Sequence, residues 1–174
     1  LDMSKIESGK MSLSVDRVSL NEVMEEIVSI AQPQMKSKRQ SFDVHIENIT
    51  AEYVLCDSVR LNQILLNLLS NAIKYTQEEG HVRLSLSEEA SEKGESYVRL
   101  HFRVKDNGIG MSPEFLKRVY DSYSRADNAR VHKTEGAGLG MAITKYIVDA
   151  MGGTIQVESE LEEIKVELID RFGL

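Results

Sequence analysis

The residues best suited to chemistry lie four apart on what reads as one helix. Between Arg60 and Lys74 the chain runs RLNQILLNLLSNAIK. At roughly 100° per residue, Leu61, Ile64, Leu65, Leu68, Leu69, Ala72 and Ile73 fill well over half of the helix circumference. Such a helix must be largely buried. Arg60, Gln63, Asn67, Asn71 and Lys74 share the narrow strip that remains. A solvated stripe is the plain reading of that strip. Asparagine is a poor helix former, however, and two of them on a buried helix call for a reason. Amide oxygens can ligate a Mg²⁺ held mainly by water and phosphate, and a lysine one turn away can meet a phosphate oxygen as a point charge.

Two glycine clusters could complete such a site. Asp106-Asn107-Gly108-Ile109-Gly110 directly follows an alternating segment. Asn-Gly after a strand is often only a turn; the second glycine adds room for backbone to lie against something flat while Asp106 accepts a hydrogen bond. Gly136-Ala137-Gly138-Leu139-Gly140 precedes a helix. It is either a plain helix-start loop or an anion site made of exposed N–H groups and the helix dipole. No Gly-Lys-Ser/Thr follows, and a polar segment rather than a strand leads in, so neither the Walker loop nor the dinucleotide fingerprint fits. The segment from Asp121 to Glu135 carries Arg125, Arg130, His132 and Lys133. It reads as a surface loop or as a basic lid hinged by glycines.

Periodicity supplies the elements that must position these residues. Met11 to Val18 alternates and predicts a strand. Ser19 and Glu22 form a capping box for a helix towards Lys38, with Pro33 expected to kink or interrupt it. Phe42, Val44 and Ile46 mark a second strand and Tyr53 to Cys56 a third, after which Asp57 caps the asparagine-bearing helix to about Tyr75. Val82, Leu84 and Leu86, then Val98, Leu100, Phe102 and Val104, alternate with polar neighbours around a loop from Glu88 to Ser96. Ser112 and Pro113 start a short helix. A helix to about Met151 and strands at Thr154 to Val157 and Ile164 to Leu168 complete the pattern. The fold class expected is α+β: a two-layer α/β sandwich with helices on one face of a mixed, mostly antiparallel sheet.

Composition sets bounds on function. The chain has 174 residues, enough for one domain, with 41% hydrophobic and 28% charged residues. Its net charge of -7 argues against nucleic acid as the main partner. Cys56 is the single cysteine and reads as a core residue, which rules out an internal disulfide framework. No run is apolar enough to span a bilayer, no signal peptide opens the chain, and Leu1 in place of Met leads us to expect a fragment.

Three motifs now stand in fixed order: NLLSNAIKYT, DNGIG, and GAGLGMAITKYIVD before GGTIQVES. Together they resemble the asparagine box and first two glycine boxes of the histidine-kinase branch of the gyrase, Hsp90 and MutL ATPase superfamily. The match runs from near Met11 to Ser159, and LDMSKIESGK (1–10) resembles the end of the second dimerisation helix in such kinases. The resemblance implies a Bergerat-type ATP-binding fold over 11–174 and ATP with Mg²⁺ as ligands. Asn71 would coordinate Mg²⁺, with Asn67 near the phosphates and Lys74 on phosphate. Tyr75 would pack on the nucleoside. Asp106 would accept the adenine amino group, bordered by Gly108, Ile109 and Gly110. Arg125 would reach the γ-phosphate. Gly136, Gly138 and Gly140 would hinge the lid and offer N–H groups, with Leu139 beside the base.

The hydrolysing relatives carry a glutamate where Asn67 stands, and an amide cannot take a proton at neutral pH. Transfer of the γ-phosphate to a histidine is therefore the expected reaction. Asn67, Lys74 and Arg125 would serve it, and relay to an aspartate of a response regulator would follow. None of His45, His81, His101 and His132 has the acceptor's context, so the target is expected on a separate dimerisation domain of the same parent. The domain itself is expected to be monomeric and cytoplasmic, whether or not the parent is membrane-anchored. Two departures stand out. Tyr120, Asp121 and Tyr123 replace phenylalanines near the lid. Glu160-Leu161-Glu162-Glu163-Ile164 lacks the Gly-Thr or Gly-Ser turn expected before the last strand, which predicts weaker adenine binding. A degenerate nucleotide-binding or scaffolding domain is the competing reading.

Overall fold

The computed structural model describes residue 9 and residues 11–121, 140–158 and 163–172. The first strand, β1, is Asp16–Ser19, shorter than the predicted Met11 to Val18. Residues 11–15 are irregular, and Val15, expected on the same face as Met11, is exposed. Ser19 accepts from the Glu22 N–H at 3.3 Å and opens α1 (Leu20–Ser37), as the capping box requires. That helix is unbroken through Pro33. Pro33 and Ser29, whose carbonyl loses its partner, are both on the exposed side, where water can replace the missing bond.

After β2 (Ser41–Glu47) and β3 (Tyr53–Cys56), Asp57 starts α2 (Ser58–Tyr75). One Asp57 oxygen accepts from Arg60 N at 3.1 Å and the other from Ser14 N at 2.9 Å, which ties the irregular entry segment to the helix cap. Strand β4 (His81–Ala90) runs into the predicted loop and β5 (Tyr97–Asp106) starts directly after it, which leaves only 91–96 between them. Then come α3 (Pro113–Leu116), α4 (Gly140–Ala150), β6 (Thr154–Glu158) and β7 (Glu163–Phe172).

The sheet order is β1-β3-β7-β5-β4-β2. β2 lies parallel to β4, and every other pairing is antiparallel. β7 is longer than the predicted Ile164 to Leu168. It pairs with β5 from Lys105↔Glu163 to Tyr97↔Arg171, with β6 over its first half, and with β3 at its end. Val82, Leu84, Leu86, Val98, Leu100, Phe102, Val104, Val166 and Leu168 point into one core with the buried stripes of α1, α2 and α4. The opposite face carries Arg83, Arg103 and Lys105, all exposed. α2 packs between α1 and α4, which buries all seven of its predicted apolar positions. Truncating one of them, such as Leu68→Ala, should cost about 2–5 kcal/mol. Cys56 is buried in the same core. No helix among the described residues is long and apolar enough to cross a membrane.

Candidate functional site

The polar strip of α2 runs along the edge of its packing with α4. Asn67 Nδ2 lies 3.3 Å from Thr144 Oγ1. Asn71, half-buried one turn on, forms no hydrogen bond with any described residue. A Cβ placed on Gly140 would stand 3.9 Å from its Nδ2, so the first residue of α4 borders Asn71 directly. Lys74 is exposed, and its ammonium has no partner among the described residues. Asn71 thus borders the N-terminus of an eleven-residue helix, whose dipole favours an anion.

The other end of the site is built in the opposite way. Asp106 ends β5, and its Oδ1 accepts from Gly108 N at 2.8 Å. Ile109 N donates to the Tyr75 carbonyl at 3.1 Å, which locks the turn against the C-terminus of α2. A side chain at Gly108 would overlap that same carbonyl, and Gly110 has φ +70°, so both glycines are required. Asn107 Oδ1 accepts from His81 N at 2.7 Å and Asn107 N donates to His81 O at 3.2 Å, fastening the turn to the start of β4. Burial raises the pKa of Asp106 above its ordinary value of 3.8; the Gly108 N–H and the Thr76 hydroxyl act in the other direction. Thr76 is itself buried, with its hydroxyl lacking a full hydrogen-bond partner.

Two side chains that sequence reading missed secure this end. Lys38 Nζ donates to the carbonyls of Ile73 at 2.6 Å and Thr76 at 2.8 Å. Buried Gln40 donates through Nε2 to the same two carbonyls at 3.1 and 2.8 Å. A cation on the last carbonyls of α2 also complements its dipole. Nothing in the local sequence marks Lys38 or Gln40, because their targets are more than thirty residues away. Thr144 did leave a trace: it is a polar residue on the buried stripe of α4, between Ile143 and Ile147.

Of the residues expected to bind, the structure brings Asn67, Asn71, Lys74, Tyr75, Asp106, Gly108, Ile109 and Gly110 onto α2 and the adjoining turn, with Gly140 across from Asn71. Arg125, Gly136, Gly138 and Leu139 lie outside the described residues. A cradle with a carboxylate at one end and the Asn71 amide, a lysine and a helix N-terminus at the other suits a nucleotide. Residues 56–168 match the model of the histidine kinase-, DNA gyrase B- and HSP90-like ATPase family. The chain belongs to this ATPase family.

Relatives place it within the histidine-kinase branch of that family. The chain is 37% identical over 155 residues to the sensory/regulatory protein RpfC of Xanthomonas campestris pv. campestris, covering 89% of this chain and 21% of that protein. It is 35% identical over 159 residues to the sensor histidine kinase GacS of Pseudomonas protegens, covering 91% and 17%. It therefore spans about a fifth of the length of these relatives. Among solved structures, full-length ShkA in complex with AMPPNP aligns with a TM-score of 0.74 at 29% identity, over 94% of this chain and 32% of that one. The catalytic domain of histidine kinase ThkA, nucleotide-free, aligns with a TM-score of 0.68 at 22% identity over 91% of this chain and 98% of that one; this second likeness speaks for the fold alone. The chain is the ATP-binding catalytic domain of the sensor histidine kinase type.

Proposed function

We propose that this domain binds ATP with Mg²⁺ and transfers the γ-phosphoryl group to a histidine on a separate helical domain of the same parent protein. An aspartate of a response regulator receiver domain would take the group next. The observation that carries the reading is the engagement of Asn67. Where a hydrolase needs a general base, this chain has an amide whose nitrogen end is bonded to Thr144. An amide does not accept a proton at neutral pH, so the site does little to activate water. Its remaining groups suit positioning and charge stabilisation, which dominate phosphoryl transfer.

In this reading Asp106 accepts from the adenine amino group and excludes guanine, whose carbonyl would face the carboxylate. Tyr75, Gly108, Ile109 and Gly110 border the base. Lys74, the N-terminus of α4 at Gly140, Arg125, Gly136 and Gly138 hold the phosphates, and Leu139 lies beside the base. The Asn71 amide and the unused Oδ1 of Asn67 fit a hydrated divalent cation, which would supply charge neutralisation between the phosphates. Residues 1–10 would be the end of the phosphoacceptor domain's second helix, and the domain alone would be monomeric and without a nucleic-acid partner.

The test is incubation with γ-labelled ATP, with and without a separately produced helix-pair domain bearing the acceptor histidine. Acid-labile label on that domain, with little phosphate release in its absence, is expected. Steady hydrolysis by the chain alone would point instead to a superfamily hydrolase.

A further inference from the structure

Thr144 is a polar side chain with no exposed surface, on a helix whose neighbours in the core are apolar. Its Oγ1 lies 2.7 Å from the Gly140 carbonyl, one turn back, and 3.3 Å from Asn67 Nδ2. A hydroxyl has one proton, and a carbonyl can only accept. The proton is therefore committed to Gly140, a bond that serine and threonine commonly make to the preceding turn. What faces Thr144 from Asn67 must then be a donor, and only the amide –NH₂ qualifies. Counting protons thus settles which end of the amide points where, independently of how the two atoms are labelled. Asn67 Oδ1 is left as an acceptor that no described residue uses.

We infer that Thr144 is a positioning residue that holds Asn67 in a single amide orientation, offering its oxygen to the cation that accompanies the nucleotide or to that cation's bound water. Without the hydroxyl, the amide could turn and present its –NH₂ instead, which repels a cation. The buried threonine of α4 therefore favours the cation-bound form of the nucleotide over the free form. It also couples the amide to Gly140, so the cation side of the site and the start of α4 are set together. This inference rests on the nucleotide-binding reading above, and it has one readout that needs no nucleotide.

Thr144→Val keeps the side-chain shape and removes the hydroxyl, whereas Thr144→Ser keeps the hydroxyl. In the unliganded protein, the side-chain amide protons of Asn67 should show a displaced, slowly exchanging NMR signal in the unmodified chain and in Thr144→Ser. Thr144→Val should move that signal to the free-amide position. By calorimetry, Thr144→Val should lose about tenfold in affinity for an ATP analogue with Mg²⁺, the lower end of the loss typical for outer-shell partners of metal ligands. Its affinity in excess chelator should stay within about twofold, and Thr144→Ser should match the unmodified chain in both. An unchanged Asn67 signal in Thr144→Val overturns the inference. So does an equal loss with and without Mg²⁺, which would mark a purely structural role. If the unmodified chain binds no adenine nucleotide, the kinase reading falls and takes the cation preference with it. If it binds and Thr144→Val binds identically, only the inference falls.

Discussion

The two ends of the site differ in how much of their geometry exists before any ligand arrives. At the base end, the turn after β5 is bonded to Tyr75 and His81, and the carbonyls of Ile73 and Thr76 are held by Lys38 and Gln40. At the phosphate end, the side chains of Asn71 and Lys74 have no hydrogen-bond or ion-pair partner among the described residues. The first end suits a rigid, neutral, flat ring, whose binding is strengthened when no reorganisation is needed. The second suits a flexible, charged chain with its counterion, for which unengaged groups must remain available. Specificity for the base should therefore reside in the fold itself, whereas response to the phosphates should depend on what the ligand organises.

This contrast can be broken at either end, and the largest effect is expected at the base. Removing the carboxylate in Asp106→Ala should cost about 2–3 kcal/mol of adenine-nucleotide affinity, the upper part of the range for a hydrogen bond to a charged group. Calorimetry should then show a loss of at least thirtyfold; a loss below threefold would mean the turn is only a turn. Gly108→Ala should destabilise the domain by about 2 kcal/mol through overlap with the Tyr75 carbonyl, read from a urea midpoint, with binding of adenosine falling in parallel. Lys38→Met should lower stability by about 1 kcal/mol, since its ammonium is only part-buried, and should weaken adenosine and ATP equally. Lys74→Ala should leave stability within about 0.5 kcal/mol and spare adenosine, while ATP affinity falls about fivefold. Equal losses for both ligands in Lys74→Ala would erase the contrast.

Proton linkage sharpens the same point without a magnitude. Because burial raises the Asp106 pKa in the folded state, the native protein holds that proton more tightly than the unfolded chain. The stability penalty of the buried carboxylate is absent below about pH 3.8, the unfolded value, and develops as pH rises through the folded value. On the proposed reading adenine binding needs the ionised form, so affinity should fall as pH drops through that raised value while this group's contribution to stability improves. Asp106→Asn should flatten both responses, measured by calorimetry and by thermal melts from just below the ordinary value of 3.8 upwards.

Local pattern accounts for most of what was legible beforehand. The strip of α2 was readable because burial of Leu61, Leu65 and Leu68 forces the helix phase, and phase alone places Asn67 beside Asn71. Asp57, Ser19 and Ser112 were readable as caps because each meets an N–H three residues on. The strand expected from Met11 failed because alternation can arise without pairing: Met11 packs on the core, but no strand among the described residues pairs with 11–15. The extent of β7 was underestimated for the converse reason, since its length is dictated by β5 along one edge and by β6 and β3 along the other. Lys38 and Gln40 were invisible as site residues because each acts through a partner distant in sequence, and Thr144 showed only as a polar residue on a buried stripe. The missing glycine turn raised the expectation of weak adenine binding; its residues 159–162 lie outside the described residues, although Glu158 and Glu163 on either side are paired.

The position of β7 has a consequence for synthesis. It is the last strand in chain order among the described residues, yet it lies in the middle of the sheet and joins β3 on one side to β5 on the other. Until it leaves the ribosome, β1–β3 and β5–β4–β2 are two separate ribbons with an exposed edge each, and α2 has no complete sheet to cover. The nucleotide cradle should therefore stay unformed until β7 has been synthesised and then appear in one late step of the domain's folding, a pattern that favours slow, non-local closure. A nascent chain halted before position 163 should be open to proteases along α2, whereas one released after Phe172 should be protected.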